Sequence, residues 1–359
     1  MVMKSLFDET KLGGMKLKNR FFRSATHEGL AEQGRVTDEL MQVYEKLAQG
    51  GVGAIITGLA YVSDREEHVP GQIGIADASC IGEYQKMTDT IHAYGAKVIL
   101  QIAWIGSQNF PGTGEKLAWG PSAVADLAYK NTPAEMTVQD IRLVQDAFAA
   151  AALRAKKAGF DGVQMHVAHG YLLSKFLTPY YNRRSDDYGG TIENRARMVL
   201  ETYQLIRERV GPDYPILVKI NGDDFMDQGL SIEDSKYVCK KLAELGVDAI
   251  EVSGGTGSSR KNENALRKIT AEQESYFREY AAEIANAVNV PVILVGGNRD
   301  FETLTQLLNE TKIEYVAFSR PFIREKDLIN RWQSGDTSKA ACISCNKCWN
   351  SKDICIFSK

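Results

Sequence analysis

The 359-residue chain reads as a single-domain α/β protein, a (β/α)8 TIM barrel, on three observations. Short apolar runs alternate with amphipathic stretches eight times along the sequence. Segments that lead into the runs are short and glycine-centred (GGVGA, YGAKV, AGFDG, LGVDA), whereas segments that leave them are long and carry the unusual polar residues. The runs are apolar throughout rather than alternating, as in parallel strands covered by helices. Eight such units select a closed barrel over an open doubly wound sheet.

The elements follow in order. Basic and apolar residues alternate from Met15 to Thr26, predicting a strand that ends near Ser24. Thr37-Asp-Glu-Leu offers an N-cap and an acidic first turn to a helix that stops at Gly50-Gly51. Val52 to Gly58 is the second strand, Ser79 to Tyr94 a helix, and Lys97 to Ile102 the third strand. The Ala-rich helix from Thr137 to Ala158 precedes a strand at Asp161 to His166, and the helix from Ile192 to Val210 precedes Pro215 to Ile220. Ser231 to Leu245 leads into Asp248 to Ser253, Thr270 to Val288 into Pro291 to Val295, and Phe301 to Leu308 into Glu314 to Ser319. A last helix covers Lys326 to Trp332. In such barrels the loops after the strands share one face, so Thr26, Ala60, Gln101, His166, His169, Tyr171, Lys219 and Gly296 should converge there.

A formal net charge of −3 gives no basic footprint for nucleic acid. No apolar leader and no run of bilayer length occurs, so the chain is expected to be cytoplasmic, with no membrane partner. Cys80 and Cys239 stand alone, while Cys342, Cys345, Cys348 and Cys355 crowd the last stretch, which is not a secreted disulfide framework.

Chemistry concentrates between Gly162 and Arg195. His166, His169 and Tyr171 fall within six positions of one another at a strand end; two histidines and a phenol there point to a site rather than to packing. A zinc pair would need a third ligand, and neither an HExxH pattern nor a nearby Cys supplies one, so no metal is assigned. Gly296-Gly297 after the seventh strand and Ser319-Arg320 after the eighth suggest a phosphate site, since glycines let backbone N–H groups approach an anion and Arg binds it in a bidentate way. No Rossmann or P-loop spacing occurs. Flavin mononucleotide, pyridoxal phosphate and a sugar phosphate all satisfy these features, and Lys219 could serve as a Schiff-base lysine.

The motifs NRFFRSAT (Asn19 to Thr26), QIAWIG (Gln101 to Gly106), the segment from Gly162 to Met198, VGG (Val295 to Gly297) and SRPFI (Ser319 to Ile323) together resemble the old yellow enzyme family of FMN-dependent NAD(P)H oxidoreductases, from about Leu6 to Trp332. The resemblance implies an FMN barrel over residues 1–334 and a Cys-rich tail over 335–359. It implies that Ser24, Ala25, Thr26, Ala60, Gln101, His166 and Lys219 contact the flavin, and that Gly296, Gly297, Ser319 and Arg320 hold its phosphate. His166 and His169 would donate to a substrate carbonyl, and Tyr171 would supply a proton. Lys219 replaces the family's usual Arg. Glu28, Trp104 and Ser107 depart from its common substrate-pocket residues.

The implied reaction is ping-pong ene-reduction: hydride passes from NADH or NADPH to FMN and then to an electron-poor, enone-like small-molecule acceptor. The alternatives are an FMN-dependent dehydrogenase or demethylase that feeds an electron carrier, and a non-flavin lyase or aldolase built on Lys219. The tail is similar in placement to the iron–sulfur segment of the dienoyl-CoA-reductase-like branch. Its third and fourth cysteines are closer together than there, so an iron–sulfur cluster is not the preferred reading. An oligomer is compatible with the sequence.

Overall fold

Parallel pairing carries eight strands around a complete circle in the computed structural model, which describes residues 3–65, 69–108, 118–270, 273–348 and 353–357. They are Phe21–Arg23, Ala54–Ile56, Lys97–Ala103, Gly162–Val167, Ile216–Asn221, Ala249–Ser253, Val292–Leu294 and Ile313–Phe318. Each pairs with the next, and the eighth returns to the first with Val316 opposite Phe21. Closure gives each of the eight barrel strands a neighbour on both sides. The helices start where capping side chains meet their first N–H groups: Thr37 before Asp38–Gln49, Thr137 before Val138–Lys157, Ser231 before Ile232–Glu244 and Asp300 before Phe301–Glu310.

Strand periodicity sorts the side chains. The main core lies between strands and helices, while a smaller apolar cluster that includes Phe22, Ile99, Leu217, Ala249 and Ile293 fills the barrel interior. A hairpin of Thr10–Leu12 and Met15–Leu17 plugs that cluster with Leu12, Met15 and Leu17. Two residues further along the inward faces come Ser24, Gln101, Lys219 and Glu251, buried but polar. Alternation thus stacks a polar layer on an apolar plug, at the end of the barrel from which the long loops leave.

Two expected elements differ and two short helices were not expected. The strand expected from Met15 onward is divided, Met15–Leu17 joining the hairpin and Phe21–Arg23 the barrel. The helix expected from Thr270 runs only over Arg278–Ala287; residues 271 and 272 of that expectation lie outside the described ones. Ser275 takes a left-handed φ of 52°, and Ser275 and Tyr276 donate to the Gly297 and Gly296 carbonyls, so this segment covers the seventh strand's loop instead of coiling. Short buried helices at Leu172–Leu177 and Arg320–Arg324 occupy stretches read as loop, the second opened by Pro321 in its first turn.

The tail folds back on the barrel. Ala340 donates to the Arg299 carbonyl (2.9 Å), Arg299 to the Cys342 carbonyl (2.8 Å), and Asp353 lies buried 3.1 Å from Arg23 and 3.0 Å from Lys326. Among the described residues no helix is long and apolar enough to cross a membrane.

Candidate active site

The polar layer is one connected network. Gln101 Nε2 donates to Gln164 Oε1 (2.8 Å), Gln164 Nε2 to Glu251 Oε2 (2.7 Å), and Ser24 Oγ to Glu251 Oε1 (2.6 Å). Lys219 Nζ donates to Ser24 Oγ at 3.0 Å and pairs with Glu251 at 3.3 Å. Burial holds the Lys219 ammonium below the ordinary lysine range, with Glu251 opposing the shift. The result is a cation presented at the barrel mouth with its charge half compensated. Gln101, Ser24 and Lys219 were expected here; Glu251 and Gln164, which join them, were not. Their only signal was a polar side chain inside an apolar strand, at a position two residues beyond an inward-facing one.

Above this layer the fourth strand delivers the aromatic triad. His166 packs edge-on to His169, with centroids 5.1 Å apart, and to Tyr171 at 4.5 Å. The Ala168 N–H donates to His166 Nδ1 at 3.3 Å, which puts the His166 proton on Nε2 when the ring is neutral. It is neutral: burial, then the nearby His169 and Lys219, hold His166 well below the usual histidine range, and burial followed by Lys219 lowers His169 to about 3. His169 itself adopts φ 62°, where a non-glycine side chain is disfavoured.

The anion corner forms at the seventh and eighth strands. The backbone N–H groups of Gly296 and Gly297 find no acceptor among the described residues. Both glycines have positive φ (107° and 76°), and a Cβ on either would strike Tyr276, so no other residue fits. Arg320 is buried, yet among the described residues its hydrogen bonds go to neutral groups: the Arg267 carbonyl (2.8 Å), the Tyr276 hydroxyl (3.3 Å) and the Asn346 amide oxygen. A buried guanidinium that has, among the described residues, no carboxylate partner could hold an anion, as could the two glycine N–H groups. Thr26 Oγ1 meets Ser319 Oγ at 2.8 Å, and Arg23 donates to Thr26 Oγ1 (2.6 Å) and to the Ser319 carbonyl (2.9 Å). The phosphate corner and the first strand's end are thereby one unit. Ala25 rests on the interior cluster, and Ala60 is fully buried beside the third strand, opposite Ile102.

The three departures have partners of their own. Glu28 is buried 3.8 Å from Arg23, and burial raises its carboxyl to about 7 despite that cation. Trp104 stacks on Trp119 at 5.6 Å. Ser107 accepts a hydrogen bond from Lys175, whose buried ammonium also pairs with Asp126. None of the four tail cysteines forms a disulfide among the described residues, and all four line one pocket with Arg320 and Ile323. Among the described residues no three His, Cys, Asp or Glu side chains are grouped to hold a metal ion.

The sequence model of the NADH:flavin oxidoreductase / NADH oxidase family matches residues 5–338. An NADH oxidase of Thermoanaerobacter brockii is 35% identical over 346 residues, covering 95% of this chain and 53% of the relative. A metal reductase of Desulforamulus reducens is 33% identical over 347 residues, covering 96% of this chain and 51% of the relative. A solved 2-naphthoyl-CoA reductase in complex with 2-naphthoyl-CoA superposes with a TM-score of 0.88 at 26% identity, covering 96% of this chain and 54% of that one. The chain therefore spans about half the length of these relatives. The Schiff-base reading of Lys219 gives way to this match and to the Lys219–Glu251 pair. With that model matching most of its length and relatives of 33–35% identity covering nearly all of it, the chain belongs to the NADH:flavin oxidoreductase / NADH oxidase family of FMN-dependent, old-yellow-enzyme-type proteins.

Proposed function

We propose that this chain is an ene-reductase-type oxidoreductase that moves hydride from NADH or NADPH to an electron-poor alkene conjugated to a carbonyl. The observation that carries this reading is the neutral His166–His169 pair, His166 buried and edge-on to Tyr171, above a Lys219-bearing layer. The residues present fit FMN: the uncompensated Arg320 and the open N–H groups of Gly296 and Gly297 suit its phosphate, with Ser319 beside them. Ser24, Thr26, Gln101 and Lys219 suit the polar edge of its ring. When bound, FMN accepts hydride from one partner and returns it to the other.

The chain's own residues do the rest. Neutral imidazole N–H donors polarise a carbonyl oxygen without protonating it, and they are oriented before charge develops, which is the oxyanion-hole arrangement. Tyr171 holds a phenolic proton beside His166, available for the carbon next to the carbonyl. Two stopped-flow acceptors test the assignment in Tyr171→Phe. Reoxidation by a quinone, which needs no proton on carbon, should keep its rate, while reoxidation by an enone should slow by ~10²-fold or more. Equal slowing with both acceptors, or no slowing with the enone, removes Tyr171 from the donor role.

A second reading, oxidation of a small substrate with electrons leaving to a carrier, is favoured by the four-cysteine pocket against Arg320. A broad visible band beyond that of oxidised flavin in the purified protein would support it.

A further inference from the structure

His169 is held by three side chains from three different loops or strands. Asn221, the last residue of the fifth strand, accepts from the His169 N–H at 3.3 Å; Gln108, beyond the third strand, donates to its carbonyl at 2.8 Å; Ser253, the last residue of the sixth strand, places its hydroxyl 2.7 Å from ring Nε2. Asn221 and Ser253 are register partners, so the two adjacent strand ends reach His169 at one level. The first two contacts fix a left-handed backbone that a histidine otherwise rarely adopts. They leave the ring free to turn. Among the described residues Ser253 is the side chain that hydrogen-bonds the ring, which His166 otherwise meets edge-on.

We infer that Ser253 is the positioning residue of the histidine pair: its hydroxyl donates to His169 Nε2 and thereby keeps the His169 proton on Nδ1, the opposite tautomer to His166. The inference rests on the proposed role of the pair as carbonyl donors. A neutral ring has one N–H. If Nε2 held it, that proton would be given to Ser253 and His169 would present a lone pair, repelling a carbonyl oxygen. With the Ser253 proton directed at Nε2, the ring offers Nδ1–H, and the pair presents two donors. Desolvation keeps both rings neutral, so orientation and tautomer, not charge, decide whether His169 contributes. The ordinary alternative, a buried serine satisfying its own hydroxyl, makes no demand on which ring nitrogen carries hydrogen.

The test uses FMN-loaded protein, with Ser253→Ala, Ser253→Thr and His169→Ala beside wild type. Titration with a para-substituted phenol is followed in the flavin absorbance, and His169 is observed by ¹⁵N NMR of histidine-labelled protein. Ser253→Ala should retain flavin, weaken the phenol by about fivefold to tenfold, the loss of roughly one hydrogen bond, and shift the His169 ring nitrogens toward a mixture of tautomers. Ser253→Thr, which keeps the hydroxyl, should restore both. Wild-type nitrogen shifts that place the proton on Nε2 would overturn the inference. So would unchanged phenol binding in Ser253→Ala while His169→Ala weakens it. If His169→Ala binds phenol as wild type does, the donor-pair reading itself fails.

Discussion

Lys219 Nζ and Glu251 Oε2 lie 3.3 Å apart beneath the barrel mouth, and neither group has appreciable contact with solvent. Glu251 also accepts from Ser24 and Gln164, so one carboxylate organises the layer on which the flavin ring would rest. Glu251→Leu leaves the Lys219 ammonium buried without its counter-charge. Breaking such a pair from one side costs about 3–5 kcal/mol. Urea unfolding should show that loss, and a change below about 1 kcal/mol would mean that Lys219 finds compensation elsewhere.

Acid should destabilise the fold through the histidines. His169 has a pKa of about 3 in the folded protein and His166 lies well below 6.5, so between these values and 6.5 the unfolded chain binds more protons and stability falls with pH. His169 contributes about 2 kcal/mol of loss from pH 7 to pH 5, and His166 acts in the same direction. Glu28, raised to about 7, acts with the opposite sign: the folded state holds its proton between 4.5 and 7, and acidification there favours folding by a similar amount. Glu28→Gln should therefore steepen the loss between pH 7 and pH 5 by about 2 kcal/mol. Parallel denaturant midpoints for mutant and wild type across that range would contradict the assignment.

Arg320→Ala should reduce FMN retention without unfolding the barrel. Among the described residues the guanidinium has neutral hydrogen-bond partners, so its removal strands no carboxylate there. A charge-assisted pair with a phosphate in a dry site is worth a few kcal/mol, which corresponds to a loss in FMN affinity of at least tenfold on dialysis or fluorescence titration. Equal flavin content in mutant and wild type would move the phosphate elsewhere.

The buried Lys175–Asp126 pair, with Ser107 on the same ammonium, ties the chain beyond the third strand to the helix that follows Tyr171. Lys175→Met alone should destabilise by about 3–5 kcal/mol, and adding Asp126→Leu should recover most of it, because a buried pair is replaceable by apolar groups of similar size while a lone buried charge is not. A double mutant no more stable than Lys175→Met, measured by thermal unfolding, would show that the segment depends on the ion pair itself.

What the sequence determined by itself is the barrel and which strand-end residues meet at its mouth. Apolar runs of strand length, amphipathic stretches between them and glycine-centred returns are local properties, and eight repeats of them leave closure as the outcome that buries every strand. The HxxHxY spacing and the Gly-Gly and Ser-Arg pairs at strand ends were legible for the same reason: each lies within a few residues of one element. Tertiary structure alone decided the partners. Glu251 meets Ser24 across 227 positions and Asp353 meets Arg23 across 330, and only barrel closure states which inward-facing residues share a layer. It also decided where the helix before the seventh strand begins, since Tyr276 lies on Gly296 and Gly297 rather than in a turn of its own. Ser253 is the clearest case. In sequence it ends an apolar strand; beside His169 it becomes a hydroxyl at 2.7 Å from a neutral ring, because adjacent strands in register bring their ends to the same height.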